Sequence, residues 1–114
     1  IHASNLPENK GMIDAQFFAQ MKKTAFFINT SRGRMVDENA LRDALVKRTI
    51  AGAGLDVHAR EPRPTPNIFA GLDTIIMTPH LAGGARVAII DEVAAVVGNC
   101  QAALQGGAIR HRVA

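Results

Sequence analysis

One cysteine, Cys100, stands among 114 residues, and tryptophan and tyrosine are absent. A lone cysteine excludes an internal disulfide and suits a reducing compartment, so a cytoplasmic location is expected. With five phenylalanines as the only aromatics, the core must rest mainly on Val, Ile, Leu and Ala. No apolar run approaches the ~20 residues that a membrane-spanning helix needs. Charge of one sign is not concentrated either. The net charge is +3 and the isoelectric point about 9.6, but Lys and Arg are scattered among acids. Their only local cluster is Arg110-His111-Arg112 at the end of the chain. Nucleic-acid binders focus positive charge on one face and add stacking aromatics, so neither nucleic acid nor a membrane is an expected partner. No metal site is read from the sequence.

What is present is an alternation of apolar runs and helix signals. Apolar residues make up 47% of the chain, enough for the core of one domain. Asp14 is a good N-cap, with Ile13 and Phe18 at the spacing of a hydrophobic staple, which predicts a short helix to about Met21. Lys22 and Lys23 would then face its C-terminal dipole. Thr24 to Asn29 reads as a strand. Asp37, with Val36 and Leu41 as its staple pair, predicts a second helix over 38–47. Ile50 to Val57 reads as a second strand, whose Gly52 and Gly54 suggest close approach of a neighbour. Residues 58–73, with Pro62, Pro64 and Pro66, read as one long loop. Thr74 to Met77 is a third strand. A last helix is expected from about Gly84 to Leu104, with Val87, Ile90, Ala94, Val97 and Leu104 on one stripe and Gly106 and Gly107 ending it.

The strands are apolar without alternation, the pattern of a parallel sheet covered on both faces. The fold class expected is therefore α/β, built on a parallel sheet. Crossovers of one hand would put the first two helices on one face. The last helix would cover part of the other, and missing sequence or a second copy must cover the rest; a homo-oligomer is expected. The chain begins with Ile rather than Met, and Ile1-His2-Ala3 reads as the tail of a strand, which suggests a fragment.

In such a sheet, ligands gather at the C-terminal strand ends. Three ends carry unusual residues: Asn29-Thr30-Ser31-Arg32-Gly33, then Asp56 with Glu61 a few residues on, then Thr78-Pro79-His80. Singly, each has an ordinary structural reading, from a solvated charge to a turn cap. Together they place one guanidinium, two carboxylates and one imidazole on one edge. An arginine fork matches a carboxylate. Histidine exchanges protons near neutrality. A carboxylate on its other nitrogen fixes the tautomer and favours the charged ring. These groups suit redox at a carbon beside a carboxylate, with electrons from an external carrier.

The segments "NTSRGRMVDENAL", "IAGAGLDVHAREP" and "TPHLAGG", preceded by "IHASNLPENKGMI", resemble successive blocks of the D-isomer-specific 2-hydroxyacid dehydrogenases. The resemblance implies an oxidoreductase that interconverts a D-2-hydroxy acid and its 2-keto acid, of the phosphoglycerate, glyoxylate, hydroxypyruvate or lactate class, with NAD or NADP. It implies that Arg32 binds the substrate carboxylate, that His80 is the acid/base and that Glu61 pairs with His80. It implies that Asp56 contacts the nicotinamide carboxamide, and that His2, Thr30, Ser31, Arg32, His80 and Gly83 lie at the cofactor. An alternative within the family is a corepressor-like binding module. The family's G-x-G-x-x-G phosphate loop is absent, since Gly52 and Gly54 precede no helix. The resemblance implies that residues 1–114 are an incomplete Rossmann-like three-layer sandwich, the second half of a dinucleotide-binding domain without the Gly-rich loop or the substrate domain, expected to be inactive in isolation.

Overall fold

A computed structural model describes residues 1–4, 6–83 and 86–108, with only the backbone described at 86–88. The chain divides into two compact units, Ile1–Leu81 and Ala82–Ala114. The first holds helix α1 (Ala15–Ala19), strand β1 (Phe26–Asn29), helix α2 (Glu38–Val46) and strands β2 (Gly52–Leu55) and β3 (Ile75–Met77). Short 3₁₀ turns at Pro7–Asn9 and Gly33–Met35 add to these. The sheet is parallel throughout, in the order β1-β2-β3.

Both helices of this unit start where their caps dictate. The Asp14 side chain accepts from Phe17 N, and that of Asp37 accepts from Asn39 N and Ala40 N. The residues before the caps, Ile13 and Val36, form an isolated parallel bridge. Ile13 N donates to Met35 O at 3.0 Å and Asp37 N donates to Ile13 O at 2.9 Å. The two helix starts are thereby laid side by side, and α1 packs on α2 over the same sheet face. Helix α1 stops at Ala19, earlier than its pattern suggests, so Lys22 and Lys23 lie beyond its last turn.

The filled face joins Phe18 from α1, Leu41, Ala44 and Leu45 from α2, and Phe27, Ala53 and Leu55 from the sheet, with Ile13, Val36, Ile50 and Phe69 closing the margins. On the other face, register sets Phe26 beside Gly52 and Ile28 beside Gly54. A Cβ on either glycine would meet those side chains at 3.0 Å, so the glycines let a large neighbour lie across β2. Phe26, Ile28 and Ile76 are 67%, 52% and 77% exposed, so the described residues of the first unit leave unfilled a face that the strand composition expects to be covered. The opening residues are not a strand. They run beside β1, with the Ile1 nitrogen donating to Ile28 O at 2.6 Å and Ser31 Oγ donating to Ala3 O at 3.0 Å.

In the second unit, helix α3 spans Arg86–Leu104. Gly106 N donates to Ala103 O and Gly107 N to Ala102 O, a Schellman stop built on the left-handed Gly106. The expected apolar stripe is too narrow a description. Ile90, Val97 and Leu104 are exposed, but so are Ile89, Val93 and Val96. Val87 lies outside the described side chains, and Gly84 outside the described residues.

The tightest approach in the first unit is at Gly33, where an added Cβ would lie 1.9 Å from His58 C and 2.1 Å from His58 O. Backbone cannot yield as a flexible side chain does. Gly33→Ala is therefore expected to cost roughly 2–3 kcal/mol of stability. An unchanged denaturation midpoint would contradict this packing.

Candidate active site

The polar residues converge because all three strands point the same way. At the end of β1, Asn29 is fully buried and ties the turn. Its Oδ1 accepts from Ser31 N at 3.0 Å, its Nδ2 donates to Arg32 O at 3.1 Å, and its carbonyl accepts Asp56 N at 3.0 Å. A side-chain amide that closes its own turn is the usual way such a residue earns a buried position. Arg32 then projects from the turn, exposed, with Nη1 donating to Ser31 O at 2.7 Å. Thr30 is exposed, and Ser31 is half-buried with its hydroxyl committed to Ala3 O. His2 is exposed in the segment beside β1.

At the end of β2, Asp56 is buried and acts as a staple. Its Oδ1 accepts from the Thr78 hydroxyl and from Leu81 N, the latter at 2.8 Å. Those two donors flank His80, whose backbone is left-handed at φ 57. Non-glycine residues seldom take that conformation, and they keep it where their surroundings hold it. Here the carboxylate of Asp56 grips the chain on both sides of the imidazole.

The His80 ring meets Glu61, with Nδ1 and Oε2 at 2.8 Å. The second carboxylate oxygen, Oε1, accepts His58 N at 2.9 Å. The bond to His80, then the bond from the His58 backbone, hold the Glu61 carboxyl below its ordinary value of 4.5, against a smaller opposing effect of burial. An ionised Glu61 makes Nδ1 the protonated nitrogen and leaves Nε2 as the atom that can exchange a proton. Among the described residues, none bonds that Nε2.

Arg32, Glu61 and His80 line one open cavity of about 200 Å³, together with Gly33, Arg34, Val57, His58 and Ala59. A second cavity of about 410 Å³ adjoins it across Glu61, His58 and His80, walled by Pro62, Arg63, Asn67, Met77, Thr78 and Pro79. Asp56 lines neither, and Gly83 belongs to the second unit.

Several residues at the site carry no sequence signal of their own. Glu38, Arg63, His58 and Asn67 bind the 58–73 loop to α2 and to β3. Glu38 Oε1 accepts Ala59 N at 3.0 Å and pairs with Arg63 Nη2 at 3.3 Å. Arg63 Nη1 donates to Asn67 Oδ1 at 2.8 Å, and Arg42 Nε donates to Ile68 O at 2.9 Å. The density of proline beside an arginine and an asparagine was the one hint that this loop is shaped rather than loose.

Known proteins share this arrangement of elements. The family described as "D-isomer specific 2-hydroxyacid dehydrogenase, NAD binding domain" matches residues 1–82. A glycerate dehydrogenase of Methylorubrum extorquens is 42% identical over 108 residues, 93% of this chain and 34% of that protein. A glyoxylate/hydroxypyruvate reductase B of Pectobacterium carotovorum is 41% identical over 99 residues, 87% of this chain and 31% of that protein. Among solved structures, a D-lactate dehydrogenase with NAD+ from Lactobacillus jensenii superposes with a TM-score of 0.88 at 30% identity, covering 99% of this chain and 38% of that one. An NADPH-dependent glyoxylate/hydroxypyruvate reductase from Sinorhizobium meliloti, solved with NADP and malonate, gives 0.85 at 31% identity, covering 99% and 35%. The chain spans about a third of the length of the curated relatives it matches. With its parallel sheet and ordered strand-end blocks, the chain belongs to the D-isomer-specific 2-hydroxyacid dehydrogenase family, within that family's Rossmann-like NAD-binding domain.

Proposed function

We propose that this chain supplies the anion-binding and proton-transfer side of the active site of an NAD(P)-dependent D-2-hydroxyacid dehydrogenase acting on a small 2-keto acid of the glyoxylate or hydroxypyruvate kind. The observation that carries the reading is that the Glu61–His80 pair, bonded at 2.8 Å, lines the same cavity of about 200 Å³ as Arg32. That volume suits a few-atom acid. The Arg32 fork would hold the carboxylate of such an acid and orient the carbonyl beside it. His80 Nε2 would give a proton to the carbonyl oxygen in reduction and take it from the hydroxyl in oxidation. Glu61 would hold the ring by Nδ1 and keep the proton of the neutral imidazole on that nitrogen, leaving Nε2 towards the substrate. The relatives' names motivate the substrate class.

The residues present fit one end of a dinucleotide. Thr30 stands exposed at the C-terminal strand edge, where ligands gather in doubly wound sheets, and Ser31 and Asp56 shape that edge through bonds within the chain. No strand-to-helix glycine loop for the phosphates occurs in the sequence. The cofactor, when bound, supplies or receives the hydride. A corepressor-like module of the same family would differ in showing partner binding without turnover.

These assignments are tested in a full-length dehydrogenase that contains this segment. His80→Ala is expected to lower kcat by roughly 100-fold or more. An intact rate would remove His80 from the proton path. Arg32→Ala is expected to raise KM for the keto acid by roughly 10- to 100-fold, the scale of a lost charge-assisted hydrogen bond. Arg32→Lys should restore only part of it, because an ammonium lacks the fork. Equal KM values in all three proteins would sink the carboxylate role. Glu61 titrates below its ordinary 4.5 when folded, so its contribution to stability is present above that pH and is lost as pH falls through the lower folded value. Carbon-13 NMR of the side-chain carboxyl checks this, and a midpoint at or above 4.5 would contradict the bond to His80.

A further inference from the structure

We infer that Arg63, acting through His58, is a positioning residue for the Glu61–His80 pair. The inference rests on the reading of that pair as the proton-transfer group, and it concerns residues that this reading leaves without a role.

The Arg63 guanidinium is mostly buried and engages three acceptors. These are Glu38 Oε1 at 3.3 Å, Asn67 Oδ1 at 2.8 Å and His58 Nδ1 at 2.5 Å. Its carbon lies 5.0 Å from the centre of the Phe69 ring, a cation–π contact within a buried wall. A guanidinium only donates, so His58 Nδ1 must accept. The His58 proton is therefore on Nε2, and that N–H donates to Thr78 O at 3.0 Å. With the proton on the other nitrogen, an N–H would face Arg63 and a lone pair would face a carbonyl. Arg63 thus selects the one neutral tautomer that can hold Thr78.

His58 is where the two halves of the pair meet. Its backbone N–H donates to Glu61 Oε1 at 2.9 Å, and its ring holds the carbonyl two residues before His80. One residue so fixes the carboxylate and the strand end that carries the imidazole. Glu38 ties the assembly to α2 by accepting from Arg63 and from Ala59 N. A plain loop staple would need only the Glu38–Arg63 pair. The bond to an imidazole nitrogen adds nothing to that staple. The buried Arg63 Nε has no partner among the described residues, a cost that a neutral apolar residue would avoid. Both features make sense if the fork is there to set the ring.

The test uses ring nitrogen-15 and carboxyl carbon-13 NMR on the 114-residue chain, and kinetics in a full-length dehydrogenase that contains it. In the wild-type chain, His58 is expected to show the Nε2–H tautomer. In Arg63→Met the two tautomers should mix, and the Glu61 midpoint should rise towards 4.5. In the enzyme, Arg63→Met should lower kcat by roughly 10- to 100-fold, the scale of a small misplacement, with KM for the keto acid little changed. His58→Phe should have a similar effect, and the double variant should lose no more than either single one. A His58 carrying its proton on Nδ1 in the wild type would overturn the inference. So would an unchanged tautomer and Glu61 midpoint in Arg63→Met, or additive losses in the double variant. If Arg63→Met does not fold, the wild-type tautomer and the His58→Phe kcat decide. If the full-length wild type has no activity, the proton-transfer reading fails while the two NMR readouts still judge the tie from Arg63 to the pair.

Discussion

The contact on which the site depends is between two stretches of backbone. Gly33 follows the arginine of the first strand end, and the His58–Ala59 peptide lies where its side chain would be. That approach brings the Arg32 turn against the loop carrying Glu61. Any Cβ at that position would push the guanidinium and the carboxylate apart before electrostatics had a say. Attraction between unlike charges acts on geometry that packing has already set, because backbone overlap costs far more than a partly exposed ion pair returns.

Around that contact, polar residues serve as struts. Asn29 closes the first turn with both ends of its amide. Asp56 spans from the second strand end to both sides of His80. Glu38 reaches from α2 to the loop. Each is a buried or half-buried group whose bonding capacity goes into fixing a neighbour, as the penalty on unpaired polar groups requires. Arg32 and His80 are left exposed at this edge, and the proposed function gives them the contacts to a ligand. The division between strut and exposed group runs through residues of the same chemical type: Arg63 is enclosed and Arg32 open, Asp56 is enclosed and Glu61 half open.

Membership of the dehydrogenase family accounts for the order of the blocks and for the parallel sheet. It does not by itself account for the loop after Glu61. There the chain places Arg63 between two prolines and builds a network from α2 to His58 around it. A loop shaped by a buried cation behaves as part of the wall rather than as a cover, since releasing it would leave Glu38 and Arg63 each without its partner.

The sequence by itself determined the element order, the parallel pairing and the helix starts at Asp14 and Asp37. It could do so because caps, staples and apolar runs act within a few residues of each other along the chain. It also marked Arg32, Asp56, Glu61 and His80 as unusual residues at strand ends. It did not reveal that Asp56 is committed to Thr78 and Leu81 N, that the opening residues lie beside β1 without joining it as a strand, or that Arg63 and His58 stand behind Glu61. Most of those facts turn on bonds between residues some 20 to 28 positions apart in the chain, and the short-range bonds of His58 to Arg63 and Glu61 lie in a loop with no regular pattern to reveal them. Only the folded sheet, with its register and its close backbone approach at Gly33, decides which distant polar groups come within hydrogen-bond reach.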